Sequence, residues 1–268
     1  MFARHDLVWL SEAGWRQVRE AAVGAVSASA LGSVTGPAAD PVREYVAKPM
    51  TEAVAEAVAL SAAEMASHPA TAIDAWRHAD WPLVVRRADP GQAPGQLALG
   101  LALPPRPGDG RKLRIPCCVD AGLVRRHAAP LPLAQAAAAL PRWREALAAL
   151  VEGAAAQEIT LRVYGSVALQ ILTGQTYLTA SSDIDVLAQP RDRAQLDVVL
   201  ALLREHTAGL PLDGELVFPG GRAVAWKEWA AALASAPGAR VLVKEMERVT
   251  LVSTGVLLAT LEEAPCTM

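Results

Sequence analysis

Apolar positions along this chain fall into short runs, and their period changes from run to run. Leu7-Val8-Trp9-Leu10 is one such run, and Ser11-Glu12 behind it marks a capped helix start. Residues 21–35 are rich in Ala, Ser, Val and Gly and carry no clear period. Gly36-Pro37 and Asp40-Pro41 then punctuate a turn. Val46, Met50, Val54, Val58 and Leu60 recur at helical spacing and predict a helix from Val42 to about Met65. Ala72 to Arg77 adds a helical turn. Leu83–Arg87 and Gln96–Leu103 read as paired strands around Asp89-Pro90-Gly91, with Leu113–Val119 as a third. Pro130–Pro141 fits either a linker or a helix. Trp143, Leu147, Leu150 and Val151 share one face of a helix over Arg142–Gln157.

The second half is patterned more sharply. Ile159, Leu161 and Val163 form a strand-like run that ends at Gly165-Ser166, and a helix follows. Ile184, Val186 and Leu187 form the next strand. Arg191-Asp192 opens a helix with the stripe Leu196, Val199, Leu200 and Leu203. Leu212–Phe218 reads as a strand, Pro219-Gly220-Gly221 as its turn, and Val224–Trp226 as the hairpin return. A helix over Lys227–Ala234 and a strand over Val241–Lys244 follow. Periodicity fits residues 249–262 to strand or helix equally. The expected class is α+β: a smaller N-terminal α+β domain over 1–135 and a second domain over 136–268, a mixed sheet flanked by helices.

With 268 residues, 52% of them hydrophobic and 20% charged, the chain can bury a good core. The net charge of -3 argues against nucleic-acid binding by bulk electrostatics. No apolar run approaches the roughly 18 residues of a membrane span, and the first ten residues lack a signal-peptide core. A cytoplasmic protein without a membrane partner is therefore expected. Cys117, Cys118 and Cys266 are too few and too irregular for a disulfide framework. Cys117-Cys118 reads as a reactive pair or, more simply, as two small half-buried residues.

Candidate chemistry concentrates at Gly165-Ser166 and at Asp183-Ile184-Asp185, seventeen residues beyond the serine. Residues i and i+2 of a strand share a face, so Asp183 and Asp185 project together. Two carboxylates that close repel unless a cation joins them. Mg²⁺ suits such a pair, because it takes one or two carboxylates and completes its shell with phosphates; two ions would serve a leaving diphosphate. Gly165 lets backbone approach a phosphate, and the Ser166 hydroxyl with the next helix's amides supplies donors. Asp213 and Glu215 share a face and compete as the third carboxylate. Arg86 and Arg87 fit a phosphate clamp or a solvated strand end equally, and Lys244 is a further candidate for phosphate. His5-Asp6 resembles a dyad, but neighbours on an extended segment point apart, which favours a structural reading.

Val163-Tyr164-Gly165-Ser166 with Ser182-Asp183-Ile184-Asp185 resembles the signature of nucleotidyltransferases of the DNA polymerase beta type. A closer resemblance runs through Arg4–Leu10, Trp81–Arg87, Gly100–Pro104, Arg162–Ser166, Leu172–Leu178 and Asp213-Gly214-Glu215. Those landmarks, in that order, resemble the phosphoribosyl-dephospho-CoA transferases, the holo-acyl-carrier-protein synthases of malonate decarboxylase. The resemblance implies a triphosphoribosyl-dephospho-CoA donor and a serine of the malonate decarboxylase acyl-carrier protein as acceptor. It also implies a magnesium-assisted transfer that releases diphosphate, with catalytic aspartates at Asp183 and Asp185. The N-terminal domain would then bind donor or partner. Residues 21–70 are longer and more Ala-rich than the family pattern. Two other readings share the Gly-Ser and paired-aspartate signature: an ATP-using adenylyltransferase and an inactive fold that only binds a partner.

Overall fold

A computed structural model of the protein describes residues 1–29, 69–106, 110–235 and 238–262. The helix expected over Val42–Met65, the turn at Gly36–Pro41 and Cys266 lie outside the described residues. The chain divides into two compact units. One is Met1–Pro130 with Ala168–Thr179; the other is Leu131–Val167 with Ala180–Met268. The division falls at 130/131, where 135/136 was expected.

The first unit is built on a five-stranded antiparallel sheet. Its strands are β1 (Leu7–Leu10), β2 (Leu83–Val85), β3 (Gln96–Pro105), β4 (Lys112–Asp120) and β5 (Val124–Ala128), in the order β4-β3-β2-β1-β5. Two helices, α1 (Glu12–Ser29) and α2 (Pro69–His78), pack on each other. The expected serine cap is present, since the Gly14 amide donates to Ser11 Oγ at 3.3 Å. Three tryptophans fill much of the core, and two satisfy their indole N–H groups on main-chain carbonyls. Trp9 donates to Asp80 at 2.9 Å, Trp76 to Pro82 at 3.0 Å, and the Trp81 ring meets Trp76 edge-on. Strand β5 carries no apolar alternation, because it lies at the sheet edge and exposes Arg125, Arg126 and His127. The Asp6 carboxylate takes the Ala3 amide at 2.8 Å and His127 Nε2 at 2.6 Å, while His5 is buried with φ 75°. The sequence neighbours His5 and Asp6 therefore form no dyad with each other.

The second unit holds a seven-stranded mixed sheet. Its elements run β6 (Leu131–Pro132), α3 (Leu133–Ala139), α4 (Arg144–Ala155), β7 (Leu161–Tyr164), the start of α5 (Gly165–Thr173), which from Ala168 belongs to the first unit, then β8 (Ile184–Ala188) and α6 (Arg193–His206). They continue through β9 (Leu212–Phe218), β10 (Arg222–Ala225), α7 (Trp226–Ser235), β11 (Arg240–Lys244), β12 (Val249–Ser253) and α8 (Thr254–Glu262). The strand order is β12-β11-β10-β9-β8-β7-β6, antiparallel throughout except for the parallel pair β8/β9. Pro130–Pro141 thus holds a short strand and a helix rather than a linker. Residues 249–262 resolve into a strand followed by a helix, which explains why neither period dominated there.

Alternation divides the second sheet into two chemically distinct faces. Val163, Ile184, Val186, Leu212, Leu216, Phe218, Val224, Val241 and Val243 are buried on the apolar face. Asp192 caps α6 by accepting the Gln195 amide at 2.8 Å, and the Leu196–Leu203 stripe is buried. Among the described residues, no helix is long and apolar enough to cross a membrane.

Candidate active site

The opposite face of the second sheet carries the acidic residues, and pairing register decides which of them meet. Tyr164 at the end of β7 lies opposite Asp185 on β8. The chain turns into α5 at the next residue, Gly165, whose φ is +68°. A Cβ there would lie 2.0 Å from Asp185 Oδ2 and 3.1 Å from its carboxyl carbon. The glycine is thus required twice, for its left-handed backbone and for the space that the Asp185 carboxylate fills. Ser166 follows, half-buried, in the first turn of the helix, where backbone amides have no intrahelical partner.

Asp183 stands exposed just before β8, and Asp185 is half-buried within it. Across the parallel pair, Asp185 is in register with Asp213 and Leu187 with Glu215. Asp213 is therefore the carboxylate that neighbours Asp185, and Glu215 sits one strand repeat, about 7 Å, further along. This close pairing requires a second glycine: a Cβ on Gly214, at φ +125°, would meet the Val186 carbonyl oxygen at 1.8 Å.

Glu215 and Lys244, expected as a catalytic carboxylate and a phosphate ligand, are engaged with each other. Glu215 is 4% exposed and accepts from Lys244 Nζ at 2.9 Å. The register agrees, since Glu215 lies opposite Ala225 on β10, and Ala223 lies opposite Lys244 on β11. A buried carboxylate needs such a partner to stay ionised. Asp213 is more open; its Oδ1 lies 3.7 Å from Lys227 Nζ. Lys227 was not singled out as a site residue. Its signal in the sequence is a lysine in the first turn of a helix, where a cation opposes the helix dipole.

Arg86 and Arg87 belong to the first unit, and the aspartate-bearing sheet belongs to the second. The Arg86 guanidinium donates to the Leu99 carbonyl at 2.9 Å and forks onto both Asp89 oxygens. That hydrogen bonding holds the Asp89 carboxyl below its ordinary range against the opposing effect of burial. Arg87 is exposed. Among the described residues, no three His, Cys, Asp or Glu side chains form a ready metal cage. The site offers a two-carboxylate pair instead, beside a turn that can donate to phosphate.

Comparison with known proteins covers both units. The model for the phosphoribosyl-dephospho-CoA transferase MdcG N-terminal domain matches residues 3–130, and the MdcG C-terminal domain model matches residues 131–255. A phosphoribosyl-dephospho-CoA transferase of Bradyrhizobium diazoefficiens is 34% identical over 251 residues, spanning 92% of this chain and 88% of that protein. One from Xanthomonas campestris pv. campestris strain 8004 is 40% identical over 161 residues, 59% of this chain and 74% of its own length. One from Pseudomonas fluorescens is 37% identical over 188 residues, 67% of this chain and 83% of its own. No solved structure matches.

Proposed function

The chain belongs to the phosphoribosyl-dephospho-CoA transferase family, and from that premise we propose that it transfers a triphosphoribosyl-dephospho-CoA-derived group to a serine of the malonate decarboxylase acyl-carrier protein, releasing diphosphate. One observation carries the chemistry. Asp185 fills the space that a side chain at position 165 would need, and Asp213 stands in register beside it. That arrangement brings carboxylates beside the amino end of α5, and a helix amino end suits a phosphorylated donor.

Asp185 and Asp213, in register with each other, are the pair that would hold Mg²⁺, with exposed Asp183 as the further candidate at the start of β8; the ion accepts one or two carboxylates and takes the rest of its shell from phosphate and water. When bound, the ion neutralises charge on the transferring phosphoryl group and its leaving group. The protein's own groups do the rest. Gly165 and Ser166 donate to the donor's phosphate oxygens and hold the α-phosphorus in line with the incoming serine. The serine oxygen bonds to that phosphorus, and the bond to the bridging oxygen breaks, leaving its electron pair on diphosphate. The serine proton passes to a carboxylate of the site. Glu215 and Lys244, further along the same face, act as an ion pair that links β9 to β11. The first unit is the candidate surface for the dephospho-CoA moiety or the carrier protein, and the reaction is expected in the cytoplasm.

The test is intact-mass measurement of the apo carrier subunit after incubation with this protein, Mg²⁺ and the donor. The expected result is an added mass equal to the donor less diphosphate, abolished in Asp185→Asn. AMP addition from ATP, with no transfer from a competent donor, would overturn the assignment in favour of an adenylyltransferase.

A further inference from the structure

We infer that Lys227 is the residue that grips the diphosphate portion of the donor; this rests on the reading of the Asp185–Asp213 pair as part of a phosphoryl-transfer site. Three observations lead to it. Lys227 Nζ stands 3.7 Å from Asp213 Oδ1, with both side chains about half exposed, so the pair is loose and open to a ligand. A pair at that distance is beyond normal hydrogen-bond length and adds little to stability. The lysine sits in the first turn of α7, a helix of ten residues whose amino end already carries partial positive charge. A cation there is locally unfavourable, and an anion would reverse that.

The surroundings are specific. The Trp226 ring lies 5.8 Å from Nζ, and its buried indole nitrogen makes no hydrogen bond among the described residues. The neighbouring acid, Glu228, is turned away from the site, because its carboxylate accepts the Leu242 amide at 2.7 Å on β11. Lys227 is thus the basic group of this turn directed at Asp213, and the acid beside it is occupied elsewhere.

The chemistry needs such a group. As the serine oxygen bonds to the α-phosphorus, the bond to the bridging oxygen breaks and diphosphate takes up the negative charge. An ammonium group is a compact positive charge that can move from a carboxylate to a phosphate without changing protonation. In the free enzyme it offsets Asp213; with donor bound, it meets the leaving group.

Inorganic diphosphate with Mg²⁺, titrated against the full chain and followed by tryptophan fluorescence and calorimetry, provides the test. Wild type is expected to bind. Lys227→Met should bind at least about tenfold more weakly, the lower end for losing a charge-assisted hydrogen bond, while Lys227→Arg keeps most of the affinity. An unchanged thermal midpoint in Lys227→Met shows that the loss is local. In transfer assays the effect should appear in KM for the donor and in inhibition by diphosphate. If wild type binds, and Asp185→Asn weakens binding while Lys227→Met does not, the inference about Lys227 is overturned and the site reading stands. If wild type itself fails to bind, both are overturned.

Discussion

Replacing Gly165 by alanine separates two costs that the structure places at one residue. The first is conformational: an L-residue at φ +68° is disfavoured by about 1–2 kcal/mol. The second is steric and falls on the site. The new Cβ would stand 2.0 Å from Asp185 Oδ2, so the carboxylate must retreat by about 1 Å or more to restore tolerable contact. Misplacing a reacting group by about 1 Å costs on the order of a hundredfold in rate, or about 2.7 kcal/mol of activation free energy. Gly174 is the matched control. It has φ +69° at the end of α5, and a Cβ there meets nothing within 4 Å. Both variants should lose about 1–2 kcal/mol of stability in urea titrations. Only Gly165→Ala should also lose about a hundredfold in kcat/KM for carrier-protein transfer. Activity within twofold of wild type in Gly165→Ala, or an equal loss in Gly174→Ala, would refute the claim that this glycine exists to seat Asp185.

Other expectations follow from the same geometry. Gly214→Ala should prevent the second unit from folding, since its Cβ would collide with the Val186 main chain at 1.8 Å and backbone cannot rotate away; soluble yield and circular dichroism measure this. Lys244→Met should lower stability by removing the ion pair to buried Glu215, and adding Glu215→Leu should recover part of the loss in a thermal melt. Cys117, whose thiol burial pushes up to about 12, should resist alkylation in the native state at pH 8 and react only after unfolding, as peptide mass spectrometry would reveal. The sign for stability follows: the unfolded thiol ionises first, so the contribution of Cys117 is full below about pH 8.5 and declines above it toward pH 12.

Much of the second unit was legible in the chain because its signals are local. Gly165-Ser166 ends one apolar run and Asp183-x-Asp185 begins another, so the strand–turn–helix and the shared face of the two aspartates follow from period and turn chemistry alone. The Asp192 cap and the α6 stripe are equally local. Strand β5 was not legible, because an edge strand needs no apolar alternation and takes its partner through backbone hydrogen bonds to β1. Asp6 likewise finds His127, 121 positions away, rather than His5 beside it.

The choice between Asp213 and Glu215 shows most clearly what the tertiary structure decided. Spacing puts both on one face of β9 and cannot rank them, since a period of two treats them alike. The parallel register of β8 and β9 sets Asp213 beside Asp185 and leaves Glu215 opposite Leu187, where burial draws Lys244 to it from β11. The chain by itself determines which side chains share a face, because that depends only on backbone alternation. Which of them meet depends on how strands from distant parts of the chain slide against one another, and here two glycines that admit close approach, Gly165 and Gly214, hold that alignment.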